Sequence, residues 1–340
     1  MTNALENVPV YNKTPLIREF LSTDPESPQT YIKYETLQPG RSFKSRGIGT
    51  LIRSRVNETR KSGNKSVHVF SSSGGNAGYA AAVTCSRLSL PCTVVVPLTT
   101  KIHMIKKIRD VGAEVVVIGE HWKEADSHLT NEIIGKIDKS KTEAIYVHPF
   151  NDPVIWEGHS TMVDEIVESL KEDKIDFSRV KGIVCSIGGG GLYNGIMTGL
   201  CRHNLADKIP VIAVETVGTD ALYQSLKRDE MITLDKIRSV ASSLGSVYVT
   251  PETFEFAKKY STKSIALTDD EVVKTSLKYT DFSNYITEPA CAAAIHLGFY
   301  PEITERTLGH KLDKNDIIII IACGGSTCTY KDLEDMAANF

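Results

Sequence analysis

Short runs of β-branched residues alternate with amphipathic, helix-compatible stretches in this 340-residue chain, and that alternation limits its fold more than any other feature. The runs lie at residues 66–70, 92–96, 114–118 and 144–147, separated by helical patterns at 76–88, 101–111 and 121–137. Parallel strands need a crossover of about a dozen residues or more, usually a helix, so the pattern predicts βαβ units around a parallel sheet. It pauses at His148-Pro149-Phe150-Asn151-Asp152-Pro153. A helix over 154–170, strands at 182–186 and 211–215, a helix over 192–201 and five isoleucines at 317–321 then predict a second sheet. The first 40 residues read as an irregular lead-in with a short strand at 30–35, and 45–59 reads as a helix.

Composition narrows the partners. A formal charge of −3 leaves no electrostatic footprint for nucleic acid or an anionic membrane. No apolar run approaches the roughly 18 residues that span a bilayer, and residues 1–7 lack a basic, then apolar, leader pattern. The seven cysteines form no CxxC pair and mostly sit inside apolar runs, which argues against a disulfide framework or structural zinc. A cytoplasmic protein is expected, ahead of a mitochondrial one, with no membrane and no nucleic-acid partner.

Three strands end in glycine-rich turns: Ser71 to Gly78, Ser186 to Leu192 and Ala322 to Thr327. In open α/β sheets ligands gather beyond the carboxyl ends of the strands, where all three turns are predicted. Gly188, Gly189, Gly190 and Gly191 remove every Cβ just before a helix, so amides and the helix dipole can close on an anion. That describes either a phosphate cup or a flexible strand–helix turn. The spacing is neither Gly-x-Gly-x-x-Gly nor a P-loop, which disfavours a dinucleotide or ATP. The first turn adds hydroxyls and Asn76, suiting a carboxylate, or simply an N-cap by Ser73. Cys323 reads equally as a small core residue, and Glu288 before Pro289 as a helix start. Lys44, after a turn-prone Pro39-Gly40 pair and beside Phe43, reads as a placed cation whose role depends on these turns.

The set Ser-Phe-Lys-Ser-Arg-Gly (42–47), Ser-Ser-Gly-Gly-Asn-Ala-Gly (72–78), Gly-Gly-Gly-Gly-Leu (188–192) and Cys-Gly-Gly-Ser (323–326) resembles the fold-type II pyridoxal phosphate (PLP) enzymes. Among them it is most similar to the catabolic L-serine/L-threonine dehydratases, especially fungal ones, from about Val10 to about Leu333. The resemblance implies an α/β, tryptophan synthase β-like fold of two domains, each an open, mostly parallel sheet flanked by helices. Residues 44–153 would form the small domain and residues 1–43 with 154–340 the large PLP-binding domain, with the active site between them. It implies Lys44 as the lysine that carries PLP as a Schiff base and serves as catalytic base, and Phe43 against the cofactor ring. Gly188, Gly189, Gly190, Gly191 and Leu192 would hold the phosphate, Asn76 the ring hydroxyl and Cys323 the pyridine nitrogen. Ser73, Gly74, Gly75, Asn76 and Ala77 would receive the substrate carboxylate. A monovalent cation, K⁺, would be held by Glu215 with carbonyls of Thr219, Leu244 and Ser246.

The implied reaction is β-elimination: L-serine to pyruvate and ammonia, and L-threonine to 2-oxobutanoate, in amino-acid catabolism and gluconeogenesis, by a homodimer. Gly74 stands where relatives carry alanine or serine, so a roomier pocket beside the substrate is expected. No length is left for the C-terminal regulatory domain of the biosynthetic threonine deaminases. A thiol at 323 cannot keep the pyridine nitrogen protonated as an aspartate would, which favours elimination over transamination. The alternatives are a serine racemase or a β-replacing synthase on the same cofactor, and, in another class, an inert binding protein that retains the fold.

Overall fold

The computed structural model describes residues 8–63, 65–260 and 262–340. The chain begins with β1 (Leu16–Glu19) and β2 (Gln29–Tyr34), then α1 (Lys44–Ser62), β3 (Ser66–Ser71), α2 (Asn76–Leu88) and β4 (Cys92–Val96). Next come α3 (Ile102–Asp110), β5 (Glu114–Val117), α4 (Trp122–Ser127), β6 (Thr142–Val147) and α5 (Pro153–Glu172). The remainder is β7 (Val180–Ser186), α6 (Gly191–Arg202), β8 (Val211–Thr216), α7 (Ala221–Arg228), α8 (Pro251–Lys259) and β9 (Lys263–Leu267). It closes with α9 (Asp269–Ser283), α10 (Pro289–Phe299), α11 (Pro301–Leu308), β10 (Ile317–Ala322) and α12 (Tyr330–Ala337).

The strands form two sheets, as expected. One has four parallel strands in the order β5-β4-β3-β6. The other has six, β1-β2-β10-β7-β8-β9, all parallel except β1. The five isoleucines lie in β10, hydrogen-bonded on both sides and buried throughout. A parallel strand covered on both faces reads as a continuous apolar run rather than an alternating one. Helix α10 packs on β10, β7, β8 and α9, and all its residues are buried, which accounts for its apolar character all round.

Two compact units carry these sheets: residues 8–12 with 37–158, and 13–36 with 159–340. Residues 8–12, 37–43 and 154–158 thus group with the four-stranded sheet, whereas the large domain was expected to take them. Side-chain packing accounts for this. Val10 lies so close to α1 that a Cβ at Gly49 would come within 2.7 Å of it. Asn12 and Gln38 exchange two hydrogen bonds of 2.9 Å, and Ile155 and Trp156 of α5 belong to the same apolar core as Val10.

The helix expected over 121–137 is α-helical only to Ser127; a π turn (His128–Ile133) and a 3₁₀ turn (Ile134–Lys136) complete it. Its apolar residues Ala125, Leu129, Ile133 and Ile137 recur every fourth position and pack on Phe70 and Val95. A strict four-residue repeat drifts off one face of a 3.6-residue helix. The i→i+5 bonds of a π turn absorb that excess.

Candidate active site

Lys44 is the first residue of α1. Its ammonium donates to the carbonyl of Pro149 at 2.6 Å and lies 5.0 Å from the centre of the Phe43 ring. Beside it, burial and then the charge of Lys44 hold His148 below the ordinary imidazole range. The His148 Nδ1 accepts from the amides of Phe150 and Asn151 at 3.3 and 2.9 Å, the arrangement of a neutral imidazole protonated on Nε2. The pause in the sequence pattern at 148–153 is therefore the loop facing Lys44. The sequence alone gave His148 no role.

On the same unit the turn after β3 leads into α2, whose N-cap is Gly75 without a side-chain cap. Ser73 does not cap the helix; its hydroxyl accepts the amide of Gly75 at 3.3 Å within the turn. Asn76, the first helical residue, is buried. The turn is held from below, where Ser72 and Tyr146 both donate to Asp126 Oδ1, at 2.7 and 2.6 Å. The extra room expected at Gly74 is absent. A Cβ there would lie 2.6 Å from both Cγ2 and Oγ1 of Thr100, so the Thr100 side chain already fills that space.

In the other unit the tetraglycine turn connects β7 to α6. Gly190 is the N-cap, in the left-handed region at φ 97° and again without a side-chain cap. A Cβ at Gly190 would fall 1.9 Å from Thr253 Oγ1, and one at Gly188 would fall 3.1 Å from the Leu244 backbone. A buried network fixes the turn: Thr250 donates its amide to Gly189 O at 3.2 Å. Asn194 donates to Thr250 Oγ1 at 3.0 Å and accepts from Thr253 Oγ1 at 2.8 Å. By contrast α8, α9 and α12 are capped by Thr250, Thr268 and Thr329. The buried hydroxyl of Ser186, shortly before the glycines, has no partner among the described residues. First-turn amides without an intrahelical acceptor, glycines that admit no side chain and an orphaned hydroxyl suit a phosphate. The residues therefore fit the phosphate end of PLP.

Cys323 follows β10 and is buried. The Cys291 sulfur beside it, and then burial, push its thiol well above the ordinary range, so it is neutral near pH 7. Cys291 in turn accepts the amide of Gly324 at 3.4 Å. Glu288 begins α10, as the sequence suggested, but also clamps the turn after Cys323: its Oε2 accepts Thr327 Oγ1 at 2.6 Å. Gly325 admits no side chain, because a Cβ would meet that carboxylate at 2.0 Å.

Glu215, at the end of β8, is buried and pushed up to about 8, chiefly by burial. Both its oxygens accept α7 amides, from Leu222 at 2.9 Å and Tyr223 at 2.6 Å. Thr219 bonds back to Thr216 O at 3.1 Å, Leu244 O accepts the Ser246 amide at 2.7 Å, and Ser246 Oγ donates to Tyr248 O at 2.6 Å. Helix capping is thus the visible role of Glu215.

The chain is similar to known proteins along most of its length. The family model for "Pyridoxal-phosphate dependent enzyme" matches residues 9–324. The catabolic L-serine/threonine dehydratase of Saccharomyces cerevisiae is 55% identical over 96% of this chain and 90% of its own length. The crystal structure of a fungal L-serine ammonia-lyase from Rhizomucor miehei matches at TM-score 0.85 and 27% identity, covering 97% of this chain and 99% of that one. Processed threonine deaminase isoform 2 of Solanum lycopersicum matches at 0.80 and 26%, covering 98% and 85%. With its family model spanning most of the sequence and a relative matched nearly end to end, the chain belongs to the pyridoxal-phosphate dependent enzymes.

Proposed function

We propose that this enzyme is an L-serine/L-threonine ammonia-lyase, converting L-serine to pyruvate and ammonia and L-threonine to 2-oxobutanoate and ammonia. The observation that carries this reading is the 55% identity to a catabolic L-serine/threonine dehydratase across 96% of the chain. When bound, PLP supplies an electron sink for the charge left at the substrate Cα.

The chain's own residues divide the remaining work. Lys44 Nζ would hold the cofactor and, as a free amine, would take the proton from the substrate Cα. Amides of Gly188, Gly189, Gly190, Gly191 and Leu192 hold the phosphate. Phe43 would bear on the ring, Asn76 would bond its hydroxyl, and the neutral Cys323 thiol would meet its nitrogen without fixing a proton there. The turn Ser73, Gly74, Gly75, Asn76 and Ala77 receives the substrate carboxylate at the α2 N-terminus. Glu215, with the carbonyls of Thr219, Leu244 and Ser246, takes K⁺. A buried carboxylate pushed up to about 8 gains from a cation at neutral pH.

We place the activity in amino-acid catabolism feeding gluconeogenesis, in the cytoplasm, with a homodimer as the working form. All seven cysteines are free, which suits a reducing compartment. No helix among the described residues is long and apolar enough to cross a membrane. The test is incubation of the PLP-loaded protein with L-serine, assaying pyruvate and D-serine. Pyruvate as the main product supports the reading; D-serine as the main product makes the protein a racemase.

A further inference from the structure

Gly74 and Thr100 lie on the turns that follow β3 and β4, neighbouring strands of one parallel sheet. A Cβ at Gly74 would be 2.6 Å from Thr100 Cγ2, 2.6 Å from Thr100 Oγ1 and 3.2 Å from Thr100 Cβ. It would sit in the fork of the threonine. Two heavy branches share three staggered positions, and two of those positions face Gly74, so every rotamer leaves at least one branch against it. The Thr100 backbone is tied too: its amide donates to Pro97 O at 3.0 Å, and Lys101 is already the N-cap of α3. Neither rotation nor a small slide clears the space.

We infer that Thr100 is a specificity-determining residue of the substrate turn, supplying from the next strand's loop the bulk that Gly74 lacks. The two positions act as one unit: the summed volume at 74 and 100, not the residue at 74 alone, sets the room beside the bound amino acid. This rests on the reading that the Ser73–Ala77 turn receives the substrate. L-Threonine exceeds L-serine by one methyl group, a difference worth roughly 10–200-fold in a fitted pocket. A change of that volume at Thr100 therefore reads out as the ratio of kcat/KM for the two substrates.

The experiment measures kcat/KM for L-serine and L-threonine in the PLP-loaded wild type, Thr100→Ala, Thr100→Val, Gly74→Ala and Gly74→Ala/Thr100→Ala. Thr100→Ala raises the threonine-to-serine ratio about tenfold. Thr100→Val, which keeps the two-branched fork and loses only the hydroxyl, stays within about twofold of the wild-type ratio. Gly74→Ala lowers kcat/KM for both substrates about tenfold or more, and adding Thr100→Ala restores both to within about threefold of wild type. An unchanged ratio in Thr100→Ala, or a double variant as impaired as the product of the single effects, overturns the pairing. An inactive wild type overturns the proposed function, and the pairing with it. An active wild type with an unmoved ratio overturns the pairing alone. If Gly74→Ala does not fold, the Thr100→Ala and Thr100→Val ratios decide by themselves.

Discussion

The turns at Gly188–Gly191 and Ser73–Gly75 both lead from a parallel strand into a helix without a side-chain cap, yet they are held in different ways. The tetraglycine turn rests on Asn194, Thr250 and Thr253, all fully buried and bonded to one another. The serine-rich turn is only partly buried and is held by hydroxyls of Ser71 and Ser73 accepting its own amides, by Ser72 on Asp126 and by the bulk of Thr100. Under the proposed function the difference follows from what each would bind. A phosphate that stays through every turnover gains from a rigid cup, because preorganised donors need no reordering. A carboxylate that comes and goes is served by a turn whose volume a single neighbour tunes.

The sharpest way to break this contrast is Gly190→Ala. The new methyl would collide with Thr253 Oγ1 and hold an alanine at φ 97°, so retained PLP, read from its absorbance after dialysis, should fall at least 100-fold in affinity. Retention of the cofactor would refute the rigid-cup description. Thr250→Ala removes both the α8 cap and the partner of Asn194. It should lower stability by about 1–2 kcal/mol in denaturant unfolding and weaken PLP retention about tenfold, with KM for serine nearly unchanged. Ser73→Ala should do the reverse, raising KM for L-serine about threefold while PLP retention stays at the wild-type level, since it loses one neutral hydrogen bond in a partly buried turn.

K⁺ gives the smallest and most pH-dependent effect. The folded-state pKa of Glu215 lies above its unfolded value, at about 8 against 4.5, so its burial costs nothing below pH 4.5 and weighs more on the fold as pH rises toward 8. A bound cation offsets that cost. Replacing a bulky organic cation with K⁺ should raise Tm by a few degrees at pH 8 and by less at pH 6, and Glu215→Gln should abolish the difference. Leu244, whose backbone packs on Gly188, would carry the effect to the phosphate cup. A Tm indifferent to K⁺ at both pH values would leave Glu215 as the cap of α7 and no more.

The parts legible in the sequence are those written locally. Strands β3, β4, β7, β8 and β10 and helices α2 and α6 lie within about two residues of their predicted positions, because β-branched runs and 3.6-residue periodicity are properties of short windows. Strand β9, with four partly buried residues and a lysine at its start, carried too little pattern to be seen. Of the helices between residues 221 and 308 the sequence reading reaches only the start of α10 at Glu288, although Thr268 and Glu271 write a capping box before α9 that marks a helix N-terminus. Thr100 against Gly74, the Asn194 network and Glu288 on Thr327 could not be read, since each joins residues brought together only by the fold. That is why Gly74 looked like added space in the sequence and is filled in the structure.

The role proposed for Lys44 is tested most directly by pyruvate release from L-serine by wild type and Lys44→Ala, both incubated with PLP. The account predicts equimolar pyruvate and ammonia from the wild type, and a Lys44→Ala protein of native far-UV circular dichroism whose rate is at least 1,000-fold lower, as loss of a covalent anchor and base together demands. Pyruvate formation by Lys44→Ala at a rate near wild type, or no pyruvate from the wild type, would contradict it.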